Sequence, residues 1–506
     1  MGLDVLIIIP NSSVKAYQGL HSKFSAIEPP TWGLLLAKSM IKFGFSVEIL
    51  DCDALRLTNE KAIEIINHLK PRLNCFVLYG QNPNSGTTSM IGAESLAQSI
   101  KLYNPDYKIC FIGSHPSSLP KEVLKANFVD FVFINEGVYG LKSLLETNLK
   151  DYLSKCDSLA YKDSENNVHF SEKSTIVPTS KMDQDLPGYA WELLPKKEKT
   201  LDLYRAHYWH NFFSDEGRTP FAAPYSSLGC AFGCNFCMIN IVNRTSTNDT
   251  DNSANFKGMR FWSPEFFLDQ LGILQDFGVK TLRLSDEMFF LNRKYYIPIL
   301  EGIISRGYDF NLWAYARVDS VREDQLELFK KAGVNWLCLG IEAGNQNVRL
   351  DIEKGKFRDV NIRDIVSLIK QYDINVLGNY IFGFPEDNID TMNETLDLAI
   401  ELNTEHANFY ACQALPGSPL YHQAISNNLE IPSTYEEFAF LSYECKPLST
   451  KYVSSAEVLK FRDNAWEKYF SNIHYLNLIE KKFGKRNRQN IEEMSKIKLK
   501  RKILNE

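Results

Sequence analysis

Short apolar runs alternate with helix-length segments along two stretches of this chain, and this alternation limits the folds open to it. The apolar runs of the first stretch are rich in Ile, Val and Phe and lie at residues 5–10, 46–52, 75–80, 108–113 and 131–135. Segments with helical patterns separate them, at residues 32–43, 60–69, 90–103 and 121–126. Strands that are apolar on both faces belong to parallel sheets with helices on either side. We therefore expect residues 1–150 to form a doubly wound α/β domain.

A second stretch repeats this pattern with six apolar runs. They lie at residues 221–226, 281–284, 311–316, 336–341, 375–382 and 408–414. Six such strands predict a partial (β/α)6 barrel over residues 205–426, because a closed barrel of this type needs eight strands. The polar segment 151–204 is interpreted as a linker, and residues 427–506 as a mainly helical C-terminal region.

Polar residues and glycines gather where the predicted strands end. In the first domain these strand-end residues are Asn11, Gly80, Asn82, Gly113, Ser114, His115, Glu136 and Gly137. In the barrel they include Ser285, Asp286, Glu287, Arg317 and Glu342. Doubly wound sheets and barrels both bind ligands at the carboxyl ends of their strands. A charged side chain at the end of a buried strand must be satisfied by solvent or by a ligand, so the sequence predicts two ligand-binding edges.

Three cysteines within eight residues, Cys230, Cys234 and Cys237, follow the first predicted barrel strand. A [4Fe-4S] cube has four irons, so three thiolates leave one iron open to a substrate or cosubstrate. Two alternatives remain, namely three unrelated buried thiols or a zinc site. Structural zinc takes a fourth ligand, and residues 238–244 contain no His, Cys or carboxylate. The spacing therefore favours a cluster with an open iron.

The composition argues against several classes of protein. A net charge of −6 argues against a general nucleic-acid-binding protein, which gains its affinity from Lys and Arg at phosphates. The basic residues crowded between 480 and 502 are interpreted as a solvated helix or chain end, with an RNA contact as the alternative. No run approaches the roughly 20 apolar residues of a membrane span, and Asp4 stands where a signal peptide carries positive charge. Scattered single cysteines suit a reducing compartment, so we expect a cytoplasmic protein.

The cysteine loop resembles that of the radical S-adenosylmethionine superfamily. The superfamily motif is Cys, three residues, Cys, any residue, an aromatic residue and Cys, and Cys230, Cys234, Phe236 and Cys237 match it. Together with the first domain, the chain resembles the cobalamin-binding branch. Membership implies a [4Fe-4S] cluster whose open iron chelates S-adenosylmethionine and yields a 5′-deoxyadenosyl radical. It also implies that the first domain is a flavodoxin-like cobalamin-binding domain.

The resemblance implies roles for individual residues. Asp286 and Glu287, after Ser285, would lie near the methionine amino group of S-adenosylmethionine. Glu342 and Lys354 would contact its ribose and carboxylate ends, and Arg317 is typical of the branch. The expected corrinoid-binding residues are Asn11, Trp32, Gly33, Gly80, Asn82, Gly113, Ser114, His115, Glu136 and Gly137.

Two positions depart from the branch. Leu228 stands where an Arg commonly precedes the Gly-Cys of the cluster loop. The first domain also lacks the Asp-x-His-x-x-Gly sequence by which other cobalamin proteins place a histidine on cobalt. The resemblance therefore leaves the lower cobalt face to water or to another side chain.

The activity implied by the resemblance is methyl transfer from cobalamin to an unactivated carbon of a small-molecule or natural-product substrate. Ring formation or rearrangement without methyl transfer is the alternative enzyme activity, and a non-catalytic corrinoid or iron–sulfur carrier is the alternative of another class. Methylthiotransferases are a further rival, but Cys75 and Cys110 begin their strands and so lie at the edge opposite Cys52. The expected partners are the small-molecule substrate and a reducing protein such as flavodoxin or ferredoxin.

Overall fold

Seven strands form the first sheet of the protein, whose computed structural model describes residues 2–20, 23–352 and 360–506. The strands are β1 (Val5–Ile9), β2 (Val47–Asp51), β3 (Leu73–Leu78), β4 (Ile109–Gly113), β5 (Phe131–Phe133), β6 (Leu159–Lys162) and β7 (Val168–Phe170). Their order is β2-β1-β3-β4-β5-β6-β7, with β1 to β5 parallel. The first five strands thus have the flavodoxin-like order 2-1-3-4-5, which confirms the predicted doubly wound fold.

Helices cover both faces of the parallel part of this sheet, which is why its strands have no polar face. They are α1 (Ser13–Tyr17), α2 (Thr31–Lys42), α3 (Asn59–Leu69), α4 (Gly86–Tyr103), α5 (Ser114–Ser118), α6 (Pro120–Leu124) and α7 (Val138–Leu145). Helix α2 packs directly on β1, because a Cβ built on Gly33 would lie 3.2 Å from Ile9 Cδ1.

The segment 151–204 does more than connect two domains. It contains β6 and β7, which extend the first sheet by antiparallel pairing to β5, and the short helix α8 (Met182–Asp185). β7 is only partly buried, so no apolar run marks it in the sequence. Its pairing depends on neighbours in space rather than on a pattern of its own.

Six parallel strands form the second sheet, as expected for a partial barrel. The strands of this half of the chain are β8 (Phe221–Ala222), β9 (Ser227–Cys230), β10 (Gly258–Phe261), β11 (Thr281–Leu284), β12 (Asn311–Arg317), β13 (Val334–Glu342), β14 (Asn375–Phe382) and β15 (His406–Ala411). The barrel order is β15-β14-β13-β12-β11-β8, and β9 and β10 form a separate antiparallel pair. The helices are α9 (Pro264–Asp276), α10 (Arg293–Ser305), α11 (Glu323–Lys331), α12 (Gln346–Asp351), α13 (Ile362–Gln371), α14 (Ile389–Leu402) and α15 (Pro419–Ser426).

The first barrel strand is shorter than the predicted run 221–226. β8 contains two residues, after which the chain leaves the sheet and re-forms as β9. Pro224 has no amide hydrogen for a sheet ladder, although its carbonyl still accepts the Ser285 amide at 2.9 Å. The cysteine loop therefore begins at the end of β9, in the connection between β9 and β10, rather than directly after a barrel strand.

The C-terminal region contains three α-helices, as expected for a helical segment, although they make up slightly less than half of residues 427–506. They are α16 (Ser455–Phe470), α17 (Ile473–Phe483) and α18 (Lys485–Ser495). A capping box between Ser454 and Glu457 begins α16. Several cations of the basic tail pair with acids, including Arg488 with Glu480 at 2.8 Å.

One hydrophobic core runs from the first sheet through the barrel to the C-terminal helices. A second core fills the opposite face of the first sheet. Within the described ranges, no helix combines the length and the apolar character that a membrane crossing requires.

Candidate functional site

A cavity of about 1020 Å³ lies where the carboxyl ends of the two sheets face each other. The end of β1 and the turn after β3 line one side, at the switch point where a flavodoxin-like sheet binds its ligand. Residues of β11 to β15 line the opposite side, and Phe440 and Arg462 of the C-terminal region contribute to the wall. Both predicted ligand-binding edges therefore open into one shared cavity.

A hydrogen-bonded loop at the end of β9 presents the three cysteines of the motif. The Cys230 amide donates to Asn240 Oδ1 at 2.7 Å, and Asn240 Nδ2 donates to the Phe232 carbonyl at 2.8 Å. The Cys237 amide donates to the Cys234 carbonyl at 3.1 Å. These three cysteines are partly exposed, whereas the other cysteines of the chain are buried. The loop thus holds the three thiols of the chain that are not fully buried.

The electrostatics of this loop suit a metal cluster. Burial is the main cause that raises the pKa of Cys230 to about 12 and the pKa of Cys237 well above its usual range, and Cys234 raises both further. Three thiolates therefore need a cationic centre to balance their charge. In the described part of the chain no three ligating side chains converge on a single metal ion. The three ligands of a cube bind three different irons and need not converge in this way.

Asn84 of the first domain contacts the cluster loop. Its Oδ1 accepts the Met238 amide at 2.9 Å, and its Nδ2 lies 3.6 Å from Cys237 Sγ in a donor geometry. The Asn84 amide in turn donates to Asn82 Oδ1 at 3.0 Å, in the turn after β3. Sequence reasoning missed Asn84, because no local pattern links it to a cysteine 153 residues further along the chain.

Asp286 and Ser285 support the base of the cluster loop. Asp286 is fully buried, and its carboxylate accepts the Ser226 amide at 2.8 Å, Ser226 Oγ at 2.7 Å and Ser227 Oγ at 2.5 Å. Ser285 Oγ donates to the Ala223 carbonyl at 2.9 Å. The cavity lining does not include either residue. Both side chains instead hold the segment that leads into β9.

Glu287 and Arg317 lie near the cluster loop, where both interact through space with Cys230. Glu287 lines the cavity with a buried Oε1 that has no hydrogen-bond partner, and burial above all raises its pKa to about 8. Such a carboxylate suits the amino group of S-adenosylmethionine. Arg317 Nε and Nη2 donate to the Asp319 carboxylate at 2.8 and 2.6 Å. Its guanidinium carbon lies 4.0 Å from the ring centroid of Phe232, in the cluster loop.

Glu342 lines the cavity as well, from an irregular part of β13. Its φ of 66° lies in the left-handed region, which is uncommon for a residue with a side chain and often marks a functional position. Lys354 lies outside the described residues.

Four of the expected corrinoid contacts line the cavity, namely Trp32, Gly33, Gly80 and Asn82. The Trp32 ring stacks on Tyr79, with centroids 4.3 Å apart. Hydroxyl side chains share this part of the lining, from Ser12, Ser13, Ser85, Thr88 and Ser89. A flat aromatic wall with hydroxyl donors and acceptors around it suits the amide-fringed corrin ring of cobalamin.

The other expected corrinoid contacts are outside the cavity lining and make internal contacts. Asn11 Nδ2 donates to the Leu57 carbonyl at 3.4 Å, and Ser114 Oγ donates to a carbonyl in the turn after β3 at 2.5 Å. His115 is buried with its Nδ1 3.2 Å from Thr87 Oγ1, and burial lowers its pKa to about 3.

Glu136 joins the first domain to the β9–β10 pair. Its Oε2 forms a buried ion pair with Arg260 Nη2 at 2.7 Å, and its Oε1 accepts the Val177 amide at 2.6 Å. The two glycines of this group have structural roles. A Cβ on Gly113 would lie 2.4 Å from a carbonyl oxygen of β3, and Gly137 has a φ of 80°, which side chains disfavour.

The cysteines of the first domain do not gather at one point. Cys75 and Cys110 are neighbours on β3 and β4, whereas Cys52 follows β2 on the far side of β1. This arrangement counts against the second cluster that a methylthiotransferase would need.

Comparisons with known proteins match two parts of the chain to two families. Residues 225–399 match the family described as the radical SAM superfamily, and residues 19–145 match the B12 binding domain. The chain is 26% identical over 474 residues to the uncharacterized methyltransferase PH0819 of Pyrococcus horikoshii, a match that covers 92% of each chain. It is 23% identical over 479 residues to the anaerobic magnesium-protoporphyrin IX monomethyl ester cyclase of Cereibacter sphaeroides, covering 92% of this chain and 70% of the cyclase.

A solved structure shares the fold over nearly the whole chain. It is the radical S-adenosylmethionine methyltransferase TsrM from Kitasatospora setae, with cobalamin and a [4Fe-4S] cluster bound. The TM-score is 0.64 at 14% sequence identity, and the match covers 98% of this chain and 99% of TsrM.

Proposed function

We infer that this chain is a cobalamin-dependent radical S-adenosylmethionine enzyme, and we propose that it transfers a methyl group to an unactivated carbon of a small-molecule or natural-product substrate. The observation that carries the proposal is the shared cavity. The edge that would hold cobalamin and the barrel mouth beside the cluster loop open into the same space. A substrate in that space can contact both cofactor sites at once.

The chain's own residues would bind, orient and shield the reactants. Cys230, Cys234 and Cys237 would ligate three irons of a [4Fe-4S] cluster and leave the fourth to S-adenosylmethionine. Glu287 would accept the amino group of that cosubstrate. When bound, S-adenosylmethionine on the cluster supplies a hydrogen-abstracting radical and cobalamin supplies the methyl group. The aromatic lining would keep water away from the reacting carbon.

The same proposal includes an electron donor and a location. A radical S-adenosylmethionine enzyme needs a reductant, and we propose a small electron-transfer protein such as flavodoxin or ferredoxin. The cysteines are free in the structure, which supports a reducing compartment such as the cytoplasm.

Transfer from labelled cosubstrate tests the function. The protein is reconstituted without oxygen with iron, sulfide and hydroxocobalamin, then incubated with a cell extract, a reductant and S-adenosylmethionine that carries a trideuterated methyl group. We expect 5′-deoxyadenosine together with a metabolite that is heavier by one trideuteromethyl group. Failure to form either product with both cofactors intact would support a carrier and overturn the proposal.

Ring formation is the second candidate, favoured by the similarity to a ring-forming cyclase over 92% of this chain. In that case 5′-deoxyadenosine would appear with a new product that contains no deuterium. The label therefore separates the two activities in one experiment.

A further inference from the structure

Arg283 lies in the cavity with part of its guanidinium group unsatisfied. This residue of β11 is 1% exposed and lines the cavity. Its Nη1 donates to Glu28 Oε2 at 2.8 Å, but its Nε and Nη2 are buried without a hydrogen-bond partner. Leaving charged donors unpaired in a buried site is costly. The site therefore calls for a further acceptor at these two nitrogens.

The two unsatisfied nitrogens form one recognition edge. The Nε and Nη2 hydrogens of an arginine point in the same direction and match the two oxygens of one carboxylate. The chain uses this edge elsewhere, since Arg317 holds Asp319 at 2.8 and 2.6 Å and Arg363 holds Glu401 at 2.6 and 2.7 Å. In Arg283 the ion pair with Glu28 uses Nη1, so the edge formed by Nε and Nη2 can still bind a carboxylate.

The charges nearby leave room for a second anion. Glu28 is shared between Arg283 and His207, whose Nε2 lies 3.4 Å from Glu28 Oε1. Glu287 interacts with Arg283 through space, yet burial raises the pKa of Glu287 to about 8. Neither Glu287 Oε1 nor the Nε and Nη2 of Arg283 has a hydrogen-bond partner, so Glu287 does not occupy this edge of the guanidinium.

Two aromatic rings pack against the guanidinium group of Arg283. The guanidinium carbon of Arg283 lies 4.9 Å from the ring centroid of Trp313 and 5.6 Å from that of Tyr315. Trp209 contacts Trp313 edge to face with centroids 5.3 Å apart, and all three rings line the cavity. A planar unsaturated skeleton attached to the carboxylate would pack against these faces.

The carboxylate of S-adenosylmethionine is a weaker candidate for this edge. That cosubstrate belongs beside the cluster loop, where Arg317 stacks on Phe232 at 4.0 Å. Arg283 interacts through space with Glu287, but its hydrogen bond goes to Glu28 of the first domain and its guanidinium group stacks on Trp313 of β12.

We propose that the Nε–Nη2 edge of Arg283 anchors the carboxylate of an aromatic or conjugated organic acid, which is the methyl acceptor. The proposal rests on the proposed function only where it names this acid as the acceptor. Binding of the acid requires no turnover and can be measured separately.

Equilibrium dialysis of the reconstituted protein tests the anchor. The probes are cinnamate, indole-3-acetate and protoporphyrin IX, each measured beside its methyl ester. We expect at least one acid to bind about tenfold or more tightly than its ester, because the ester cannot satisfy both donors. The preference should disappear in Arg283→Gln and persist in the matched surface variant Arg363→Gln.

A double variant protects the test against misfolding. Arg283→Gln alone leaves Glu28 buried without its partner, which can destabilise the fold, so Glu28→Gln/Arg283→Gln removes both charges. Iron and cobalamin contents report whether each variant has kept its sites. We expect the double variant to lose the preference for acids while its affinity for S-adenosylmethionine changes by less than about twofold.

Three outcomes would overturn the anchor. They are a panel in which no acid is preferred over its ester, a preference that survives in both Arg283 variants, and a double variant that loses S-adenosylmethionine binding with its cofactors intact. The last result would assign the edge to the cosubstrate. Acid binding without labelled methyl transfer would leave the anchor standing and count against the proposed function alone.

Discussion

At the scale of single residues, the cluster loop depends on partners that lie far away in the chain. Asp286 holds the residues before β9, Asn240 bridges the loop internally, and Asn84 reaches Cys237 from the other domain. The spacing of the cysteines identifies them as candidate cluster ligands, and the three hydrogen-bonding residues fix the positions of these cysteines. Second-layer hydrogen bonds of this kind tune both the position and the redox potential of a metal site.

Replacing one cysteine tests the cluster directly. We expect Cys234→Ala to lose the brown cluster absorbance and all formation of 5′-deoxyadenosine, because one iron then lacks its thiolate. Cobalamin should still bind, since its expected contacts lie on the first domain. Absorbance spectra with iron and cobalt analysis measure both cofactors. Cys156→Ala, at a buried cysteine of the segment 151–204, is the control. Loss of cobalamin with the cluster retained in Cys234→Ala would contradict the assignment.

Asn84 should tune the cluster from the first domain. Its Nδ2 donates toward Cys237 Sγ, and hydrogen bonds to cluster sulfurs stabilise the reduced, more negative state. We expect Asn84→Ala to lower the reduction potential of the cluster by tens of millivolts at unchanged iron content. A redox titration monitored by EPR measures the reduction potential of the cluster. The control variant Asn248→Ala, on an exposed loop, should not change this potential. An unchanged potential in Asn84→Ala would remove this role.

Asp51 should make stability depend on pH. Burial first, and then the like charge of Asp53, raise its pKa to about 7, against hydrogen bonds from Tyr204 and Ala54. Between about pH 4 and 7 the folded chain therefore holds a proton that the unfolded chain has lost, so stability falls as pH rises. Asp51→Asn should remove this part of the slope. Urea unfolding midpoints at pH 5 and pH 8 measure this dependence of stability on pH, and Asp397→Asn at an exposed position is the control. The same dependence in wild type and in Asp51→Asn would contradict the prediction.

At the scale of elements, the carboxyl ends of the strands carry the candidate binding residues, while the neighbouring turns hold the two halves together. The turn after β3 places Gly80 and Asn82 on the cavity and Asn84 on the cluster loop. The turn after β5 takes a different role, because Glu136 pairs with Arg260 of β10. Position at a strand end thus identifies a candidate, and the direction of the side chain decides its role.

Breaking the ion pair between the turn after β5 and strand β10 should destabilise the protein without removing cobalamin contacts. Both side chains of Glu136 and Arg260 are buried, so Glu136→Gln leaves a buried charge without its partner and should lower the free energy of unfolding by about 3 kcal/mol or more. Urea unfolding followed by fluorescence measures the change. The double variant Glu136→Gln/Arg260→Met should recover part of it. A folded Glu136→Gln protein that has lost only cobalamin would instead indicate a direct corrinoid contact.

At the scale of the whole molecule, one of the hydrophobic cores runs through both domains, and a cavity lies between their sheets. A ligand in that cavity contacts both domains, so its binding free energy stabilises both. This coupling brings the two cofactor sites of the proposed reaction to a common substrate.

Cobalamin should therefore stabilise the entire chain. At a concentration of 100 times its dissociation constant, a ligand that binds only the folded state contributes about 2.7 kcal/mol. We expect hydroxocobalamin to raise the midpoint of one common thermal transition, followed by calorimetry. The reference is the transition midpoint measured in the same cyanide-free buffer with adenosine in place of hydroxocobalamin. Two transitions, with only the first moved by cobalamin, would show that the domains unfold independently.

The sequence by itself determined the two βα architectures and the cluster motif, because buried parallel strands require apolar runs and three cluster ligands require a local spacing. It also identified Glu287, Glu342, Trp32 and Gly80, which do line the cavity. Only the tertiary structure separated these residues from Asp286, His115 and Glu136, which lie outside the cavity lining and contact neighbours distant in sequence. The sequence could not identify Asn84 or Arg283 for a similar reason. The hydrogen bond of Asn84 joins two domains, and the guanidinium group of Arg283 lacks partners only in the folded protein, so neither leaves a local pattern in the chain.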